Sequence, residues 1–149
     1  MVYGLQTIPS FGENLFRCLP DVQFRLGRRL HHADIIGRRN GDTVVIECEI
    51  KLHSNINWAS GVCQLDNYAD SAPGADLIIV TAPGREARIR AKLERNEVRT
   101  RASWRFLDHQ DVYDAVARTV GPAPQEDGAV ERLACALARL IDTDDPTDQ

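Results

Sequence analysis

The sequence lacks the marks of several common protein classes. It has only four cysteines, which form no C-x-x-C pair and no spacing suited to zinc, so we predict reduced thiols in the core. Its longest apolar runs, such as residues 77–80, are far too short to cross a membrane. No basic stretch followed by an apolar one opens the chain, and we expect a cytoplasmic protein with no secretory signal and no membrane partner. Walker loops, nucleophile elbows and H-E-x-x-H helices are missing too.

The overall composition is that of an ordinary globular protein. A length of 149 residues favours one domain, and a hydrophobic content of 43% excludes wholesale disorder. The net charge of −4 gives no general reason to expect nucleic-acid binding, but the charge is uneven. Residues 85–105 carry eight basic side chains against three acidic ones, whereas residues 106–149 carry three against ten. A local positive field attracts phosphate even on an acidic protein, and a solvated helix face is the alternative.

A β-hairpin is the best-marked local structure. Two strand-like runs, residues 33–38 and 43–52, flank Asn40-Gly41-Asp42, and Asn-Gly favours the positive backbone angles of a tight turn. Side chains alternate along a strand, so the even-numbered positions of the second run form an apolar face that must pack on the core. The opposite face consists of Val45, Glu47, Glu49, Lys51 and His53.

Other elements are predicted from hydrophobic periodicity and turn signals. Ser10 and Glu13 form a capping box for a first helix that ends before Pro20. The other predicted helices cover residues 58–72, 86–97 and 111–118, and the other strands cover residues 22–26, 77–82 and 104–107. The predicted organisation is a domain over residues 1–120, a linker or turn over 121–128, an amphipathic helix over 129–142 that packs on the domain or at a dimer interface, and an acidic tail over 143–149.

Three charged side chains fall where the hairpin would bring them together. Asp34 lies on the first predicted strand, and Glu49 and Lys51 lie on the polar face of the second; antiparallel neighbours are about 5 Å apart. Two converging carboxylates suit a hard divalent cation such as Mg²⁺, and a lysine beside it can orient an attacking water. These residue types fit metal-assisted hydrolysis of a phosphodiester. The alternative is a surface hairpin whose Glu/Lys face lies in water.

Asp34 followed by Glu49-Ile50-Lys51 resembles the signature of the PD-(D/E)XK nuclease superfamily, which has the restriction-endonuclease-like fold. Gln64 and Tyr68 on the next predicted helix resemble the Q-x-x-x-Y pattern of its RecB-like members, and residues four apart share one helical face. Glu13 is similar to the helix glutamate that helps to bind metal in archaeal Holliday-junction resolvases.

The resemblance implies an α/β domain with a mixed central sheet flanked by helices. It also implies a Mg²⁺-dependent deoxyribonuclease, with Mn²⁺ as a substitute metal, that acts in DNA repair or recombination. The catalytic set carried over by position is Asp34, Glu49, Lys51, Gln64 and Tyr68. The implied metal ligands are Asp34, Glu49 and the backbone carbonyl of Ile50, with Glu13 as a further ligand. Lys51 would position the water or stabilise charge, while Gln64 and Tyr68 would contact the nucleic-acid backbone or support the site.

Two positions depart from the family pattern. Ala33 replaces the proline of the signature, and Glu47 is an extra carboxylate on the face that carries Glu49. Glu47 is either a metal ligand, a partner of Lys51 or a group that changes the affinity of the lysine for its proton. The E-x-K spacing favours Glu49 as the main ligand.

The nuclease interpretation gives the basic residues a role as DNA phosphate contacts, namely Arg38, Arg39, Arg85, Arg88, Lys92 and Arg95. A chain too short for a separate sequence-reading domain would cleave DNA in a structure-dependent or weakly specific way, or be targeted by a partner protein. The resemblance to small members of the superfamily also implies a homodimer. One alternative function is a non-catalytic nucleic-acid-binding or regulatory module of the same fold. Another is an interaction protein that uses its acidic tail region. The substrate form (duplex, junction, flap, single strand or RNA) and endo- or exonucleolytic action stay open.

Overall fold

The computed structural model describes residues 2–7, 10–27, 32–52 and 54–120. Their helices are α1 (Val2–Thr7), α2 (Phe11–Phe16), α3 (Gln64–Ser71), α4 (Glu86–Arg95) and α5 (His109–Val120). Their strands are β1 (Gln23–Leu26), β2 (Ile35–Arg39), β3 (Thr43–Lys51), β4 (Trp58–Ala59), β5 (Val62–Cys63), β6 (Asp76–Thr81) and β7 (Trp104–Leu107). The predicted linker, C-terminal helix and acidic tail, together with His53, lie outside the described residues.

Five of the strands form one mixed sheet in the order β1-β2-β3-β6-β7. β1, β2 and β3 pair antiparallel, whereas β6 runs parallel to both β3 and β7. β4 and β5 form a separate two-stranded hairpin. The prediction of an α/β domain built on a mixed central sheet is confirmed.

Helices cover both faces of this sheet, as the alternating side chains of β6 show. Ile78 and Val80 pack into a cluster with residues of α1, α2 and α5, while Leu77 and Ile79 pack into a second cluster with residues of α3 and α4. A strand covered on both faces must be apolar at successive positions. This explains why β6 has almost no alternation in its sequence.

The β2–β3 hairpin forms around the predicted turn. Asn40 and Gly41 have φ angles of 52° and 86°, the positive angles that the Asn-Gly pair favours. Ile46 and Cys48 of β3 pack against α2 and α5 in the first apolar cluster. Glu47, Glu49 and Lys51 therefore lie on the opposite face, where α3 contacts Glu49.

Several predicted boundaries are wrong. Residues 58–72 are not one helix, because Ser60 and Gly61 take positive φ angles and turn the chain between β4 and β5 before α3 begins. The predicted capping box is absent, since Ser10 has a φ of 66° and its side chain makes no capping hydrogen bond. Asp34 comes just before β2 rather than on it. Helix α1 was not predicted, whereas β7 has the predicted bounds.

Two expectations about composition can be compared with the described residues. No helix among them has both the length and the apolarity needed to span a membrane. Cys48 and Cys63 are buried and Cys18 is half-buried, and none of the three forms a disulfide among the described residues. Cys135 lies outside the described ranges.

Candidate active site

Asp34 stands where the pairing of β2 with β3 ends. The last paired residues are Ile35 and Cys48, and beyond them Asp34 Oδ2 accepts a 2.8 Å hydrogen bond from the backbone N–H of Ile50. The N–H and C=O of one strand residue point to the same side of the strand. The carbonyl of Ile50 therefore faces the side of β3 on which Asp34 lies.

Glu49 and Lys51 lie on the face of β3 that meets α3. Lys51 Nζ is 3.0 Å from Glu49 Oε1, and the two side chains are only 1% and 3% exposed. The second oxygen, Glu49 Oε2, is also buried, and no described residue donates a hydrogen bond to it. Buried carboxylate oxygens normally have a donor or a cation beside them, so this atom marks a position that lacks one.

Electrostatics also link Glu49 to Asp34. Burial, and after it the charge of the Asp34 carboxylate, raises the pKa of Glu49 to about 8, while Lys51 and the backbone N–H of Asp34 act in the opposite direction. The two carboxylates are thus close enough for each to disfavour the charge of the other. A cation beside both would favour their ionised forms and remove this conflict.

Gln64 and Tyr68 connect α3 to the same carboxylate. Gln64 Nε2 donates to Glu49 Oε1 at 2.8 Å and to the hydroxyl of Tyr68 at 3.1 Å. Gln64 Oε1 accepts the backbone N–H of Asn57 at 2.6 Å, and the Gln64 N–H donates to the carbonyl of Asn57. These contacts use both ends of the Gln64 side-chain amide. Gln64 therefore holds the Glu49 carboxylate in place.

Glu47 has a different environment from Glu49. Its Oε1 lies 2.6 Å from His32 Nδ1, and its Oε2 accepts the backbone N–H of Ala33 at 2.9 Å. Burial raises the pKa of Glu47, against the effects of His32, Ala33 and the charge of Arg38. Both oxygens of Glu47 therefore hold the segment that leads into Asp34, whereas Glu49 keeps one oxygen without a donor.

The structure does not bring Glu13 into this cluster. Helix α2 packs on the opposite face of the sheet from Glu49 and Lys51. After burial, the charges of Glu13 and Asp76 raise the pKa of Cys18, which places Glu13 near the beginning of β6. Lys51 pairs with Thr81 at the other end of that strand. The expectation that Glu13 joins the metal ligands is therefore not supported by its position.

Arg85 does not extend into solvent as a predicted phosphate contact would. Its guanidinium donates to the backbone carbonyls of Lys51 and Leu52 and, at 3.1 Å, to that of Ser54. These carbonyls belong to the end of β3 and the segment after it. Arg85 consequently anchors the part of the backbone that carries Lys51.

The other predicted basic contacts have varied environments. Arg88 and Arg95 are exposed on α4, and Lys92 Nζ lies over the ring of Trp58 at 5.0 Å from its centroid. Arg39 pairs with Asp21 at 2.8 Å. Its neighbour Arg38 lines a cavity beside the cluster, and the Arg38 Nε is buried without a hydrogen-bond partner among the described residues.

The donor set limits how a metal would be held. The described residues include no group of three or more His, Cys, Asp and Glu side chains suited to a metal ion. The cluster offers two carboxylates, Asp34 and Glu49, and the carbonyl of Ile50. A cation that retains several waters, as Mg²⁺ does, fits so small a set, whereas a zinc site closed by protein ligands does not.

Sequence reasoning missed two supports of the site. One is the contact of Arg85 with three carbonyls, and the other is the pairing of Glu47 with His32 and Ala33. The position of Glu47 on the polar face was a usable signal, because a buried carboxylate needs partners. The Arg85 contacts join residues more than thirty positions apart. No pattern in the neighbouring sequence could therefore predict them.

No protein-family model, no curated protein and no solved structure matches this chain. The function must therefore be argued from the residues of the site and their geometry.

Proposed function

We propose that this protein is a Mg²⁺-dependent nuclease that hydrolyses phosphodiester bonds of DNA, with Mn²⁺ as an alternative metal and a restriction-endonuclease-like sheet as its scaffold. The observation that supports this most is the state of Glu49 Oε2. This oxygen is buried near the Asp34 carboxylate and the Lys51 ammonium, and no described residue donates a hydrogen bond to it. A cation is the group that best meets the needs of two such carboxylates.

The residues of the cluster fit this metal. Asp34 and Glu49 would bind the cation together with the carbonyl of Ile50, which faces the Asp34 side of β3. A bound divalent cation would stabilise the charge that develops on the phosphate oxygens and lower the pKa of a coordinated water. The remaining coordination positions are left for water and for the substrate.

The other residues of the cluster would not bind the metal. They would hold the attacking water, the Glu49 carboxylate and the backbone before Asp34 in place. Lys51 has an ammonium group held beside Glu49 Oε1, where it would donate to the attacking water or to a phosphate oxygen. Gln64 would keep the Glu49 carboxylate in one orientation through its amide. Glu47 would hold the segment before Asp34 in place.

A second function is favoured by one specific observation. Glu49 and Lys51 are almost fully buried, which is also what a purely structural ion pair requires. The chain would then be a non-catalytic nucleic-acid-binding module. The two functions differ in whether a divalent cation binds and whether the phosphodiester is broken.

The experiment that separates them is a cleavage assay on labelled linear duplex, nicked plasmid, flap, four-way junction, single-stranded DNA and RNA. Each substrate is incubated with Mg²⁺, Mn²⁺ or EDTA and with the wild type, Asp34→Asn, Lys51→Ala or Asp114→Asn. Asp114 is exposed on α5 and serves as a matched carboxylate control. We expect metal-dependent cleavage by the wild type and the control, and at least a 100-fold loss in the two site variants.

The same assay can refute the proposal. Cleavage that persists in both Asp34→Asn and Lys51→Ala would place the chemistry elsewhere. Salt-sensitive DNA binding by a folded wild type that cleaves nothing would favour the non-catalytic module. The substrate that is cleaved fastest would identify the form of nucleic acid on which the protein acts.

A further inference from the structure

A polar cavity of about 400 Å³ lies beside the cluster, on the same side of the sheet. Ile36 of β2 pairs with Glu47 of β3, and residues two apart on a strand share a face. Arg38 therefore lies on the face that carries Glu47 and Glu49. The wall of the cavity is formed by His32, Arg38, Asp42, Thr43 and Val44 together with residues 71–73 at the end of α3 and just after it.

A bulge shapes this wall. The pairing of β2 with β3 shifts between Gly37 and Arg38, so that Gly37 pairs with Ile46 but Arg38 pairs with Val44. The extra residue, Val45, drops out of the pairing and packs toward the apolar cluster. Bulges of this kind redirect side chains and are common beside functional sites.

Arg38 is the feature of the cavity that calls for a ligand. Its Nε is buried and no described residue accepts a hydrogen bond from it, although a guanidinium has five N–H groups to satisfy. Arg39, the next residue, pairs with Asp21 at 2.8 Å. The two adjacent arginines thus differ, because Arg39 is paired at the surface, whereas Arg38 lines the cavity near the Glu47 carboxylate and has a buried Nε without an acceptor among the described residues.

The cavity is connected to the candidate active site through His32. The Nδ1 atom of His32 contacts Glu47, which also holds Ala33 next to Asp34. Arg38 lies four positions after Asp34 along an extended segment, which corresponds to about 13 Å. A strand of nucleic acid whose scissile phosphate lies at Asp34 therefore has other phosphates within reach of Arg38.

We propose that this cavity binds a backbone phosphate of the DNA substrate away from the scissile bond, with Arg38 as its principal donor and His32 as a wall. This site rests on the proposed function, since it takes a phosphate of the same strand. A guanidinium is the side chain best matched to two phosphate oxygens. The site would position the strand and would not take part in the reaction.

The first test compares Arg38→Gln with Arg118→Gln, because Arg118 is an exposed arginine of α5 outside the predicted phosphate contacts. DNA binding is measured in EDTA over a range of salt concentrations, and cleavage is measured with Mg²⁺. We expect Arg38→Gln to lower the slope of log K against log salt by about 0.9 on duplex or about 0.7 on a single strand. It should raise KM about tenfold with kcat within twofold, since a contact kept in both ground and transition states affects binding alone. Arg118→Gln should change neither value.

Arg38→Lys keeps the charge and controls for folding, and we expect it to restore the slope while recovering only part of KM. If Arg38→Gln leaves both the slope and KM of an active protein unchanged, the phosphate site is refuted while the nuclease function stands. If Arg38→Gln lowers kcat without affecting KM, the residue acts on the reaction and the proposed role is also refuted.

A measurement on the wild type makes the test independent of both variant folding and catalysis. The Arg38 Nε–H resonance is followed by NMR, identified by its loss in Arg38→Lys, while a short duplex or inorganic phosphate is added. A shift with the duplex supports the site, whether or not phosphate alone also produces one. No shift with either, or a shift with phosphate alone, would refute binding of a DNA phosphate here. Because no hydrolysis is needed, this result is separate from failure of the nuclease function.

Discussion

Gln64 holds Glu49 from the opposite side of the sheet–helix interface, with 2.8 Å between its side-chain nitrogen and Glu49 Oε1. The carbonyl end of the same amide accepts the N–H of Asn57. The carboxylate is therefore oriented by a helix residue that is itself oriented by the loop before it. Such supports decide whether a metal ligand is held in one conformation.

Replacing Gln64 with alanine should release Glu49. We expect kcat to fall and the Mg²⁺ concentration for half-maximal activity to rise by about 10–100-fold, the usual effect of losing a residue that orients a ligand. Asn67→Ala on the same helix is the matched control and should be close to wild type. A Gln64→Ala protein with an unchanged Mg²⁺ response would show that Glu49 needs no such support.

Replacing Glu47 with alanine should destabilise the fold. The Ala33 N–H would lose its acceptor, and a buried donor without a partner costs about 1–3 kcal/mol. Urea unfolding measures this loss, with Asp42→Asn in the exposed hairpin turn as a control. Glu47→Gln tests the metal assignment separately, because it should keep the Mg²⁺ response that Glu49→Gln loses. Loss of that response in Glu47→Gln would instead make Glu47 a ligand.

The stability of the metal-free protein should depend on pH through Glu49. Its pKa is about 8 in the folded protein, against an ordinary value of 4.5. Between these values the folded state binds more protons than the unfolded state, so the free energy of unfolding falls as pH rises from about 5 to 8. The wild type measured in EDTA should show this fall, and Glu49→Gln should flatten it. The same pH dependence in the wild type and in Glu49→Gln would contradict a raised pKa of Glu49 in the folded state.

Arg85→Gln should impair the reaction rather than DNA binding. The carbonyls of Lys51, Leu52 and Ser54 would lose their common donor, and the backbone carrying Lys51 would open more readily. We expect kcat to fall about tenfold, hydrogen exchange at Lys51, Leu52 and Ser54 to accelerate, and the salt slope of DNA binding to stay unchanged. Arg118→Gln on the exposed face of α5, outside the predicted phosphate contacts, is the matched control. A reduced salt slope in Arg85→Gln would instead support the DNA phosphate contact that was predicted for Arg85 from the sequence.

The local elements that could be read from the sequence were those with strong turn chemistry or periodicity. The Asn40-Gly41 turn and the β7 bounds were predicted because each depends on neighbouring residues alone. The helix predicted over residues 58–72 was wrong at its first half. Ser60 adopts a positive φ beside Gly61, and the resulting hairpin is too short for a clear alternation of side chains.

The sequence by itself determined the β2–β3 hairpin and the line of charged residues along β3, because alternation follows from strand geometry. Only the tertiary structure decided what those charges do. It distinguishes Glu49, which keeps an oxygen without a donor, from Glu47, which is used by His32 and Ala33. It also turns Arg85 toward the backbone and leaves Arg38 Nε without a partner among the described residues. These outcomes depend on contacts between distant segments, which neither spacing nor residue type specifies.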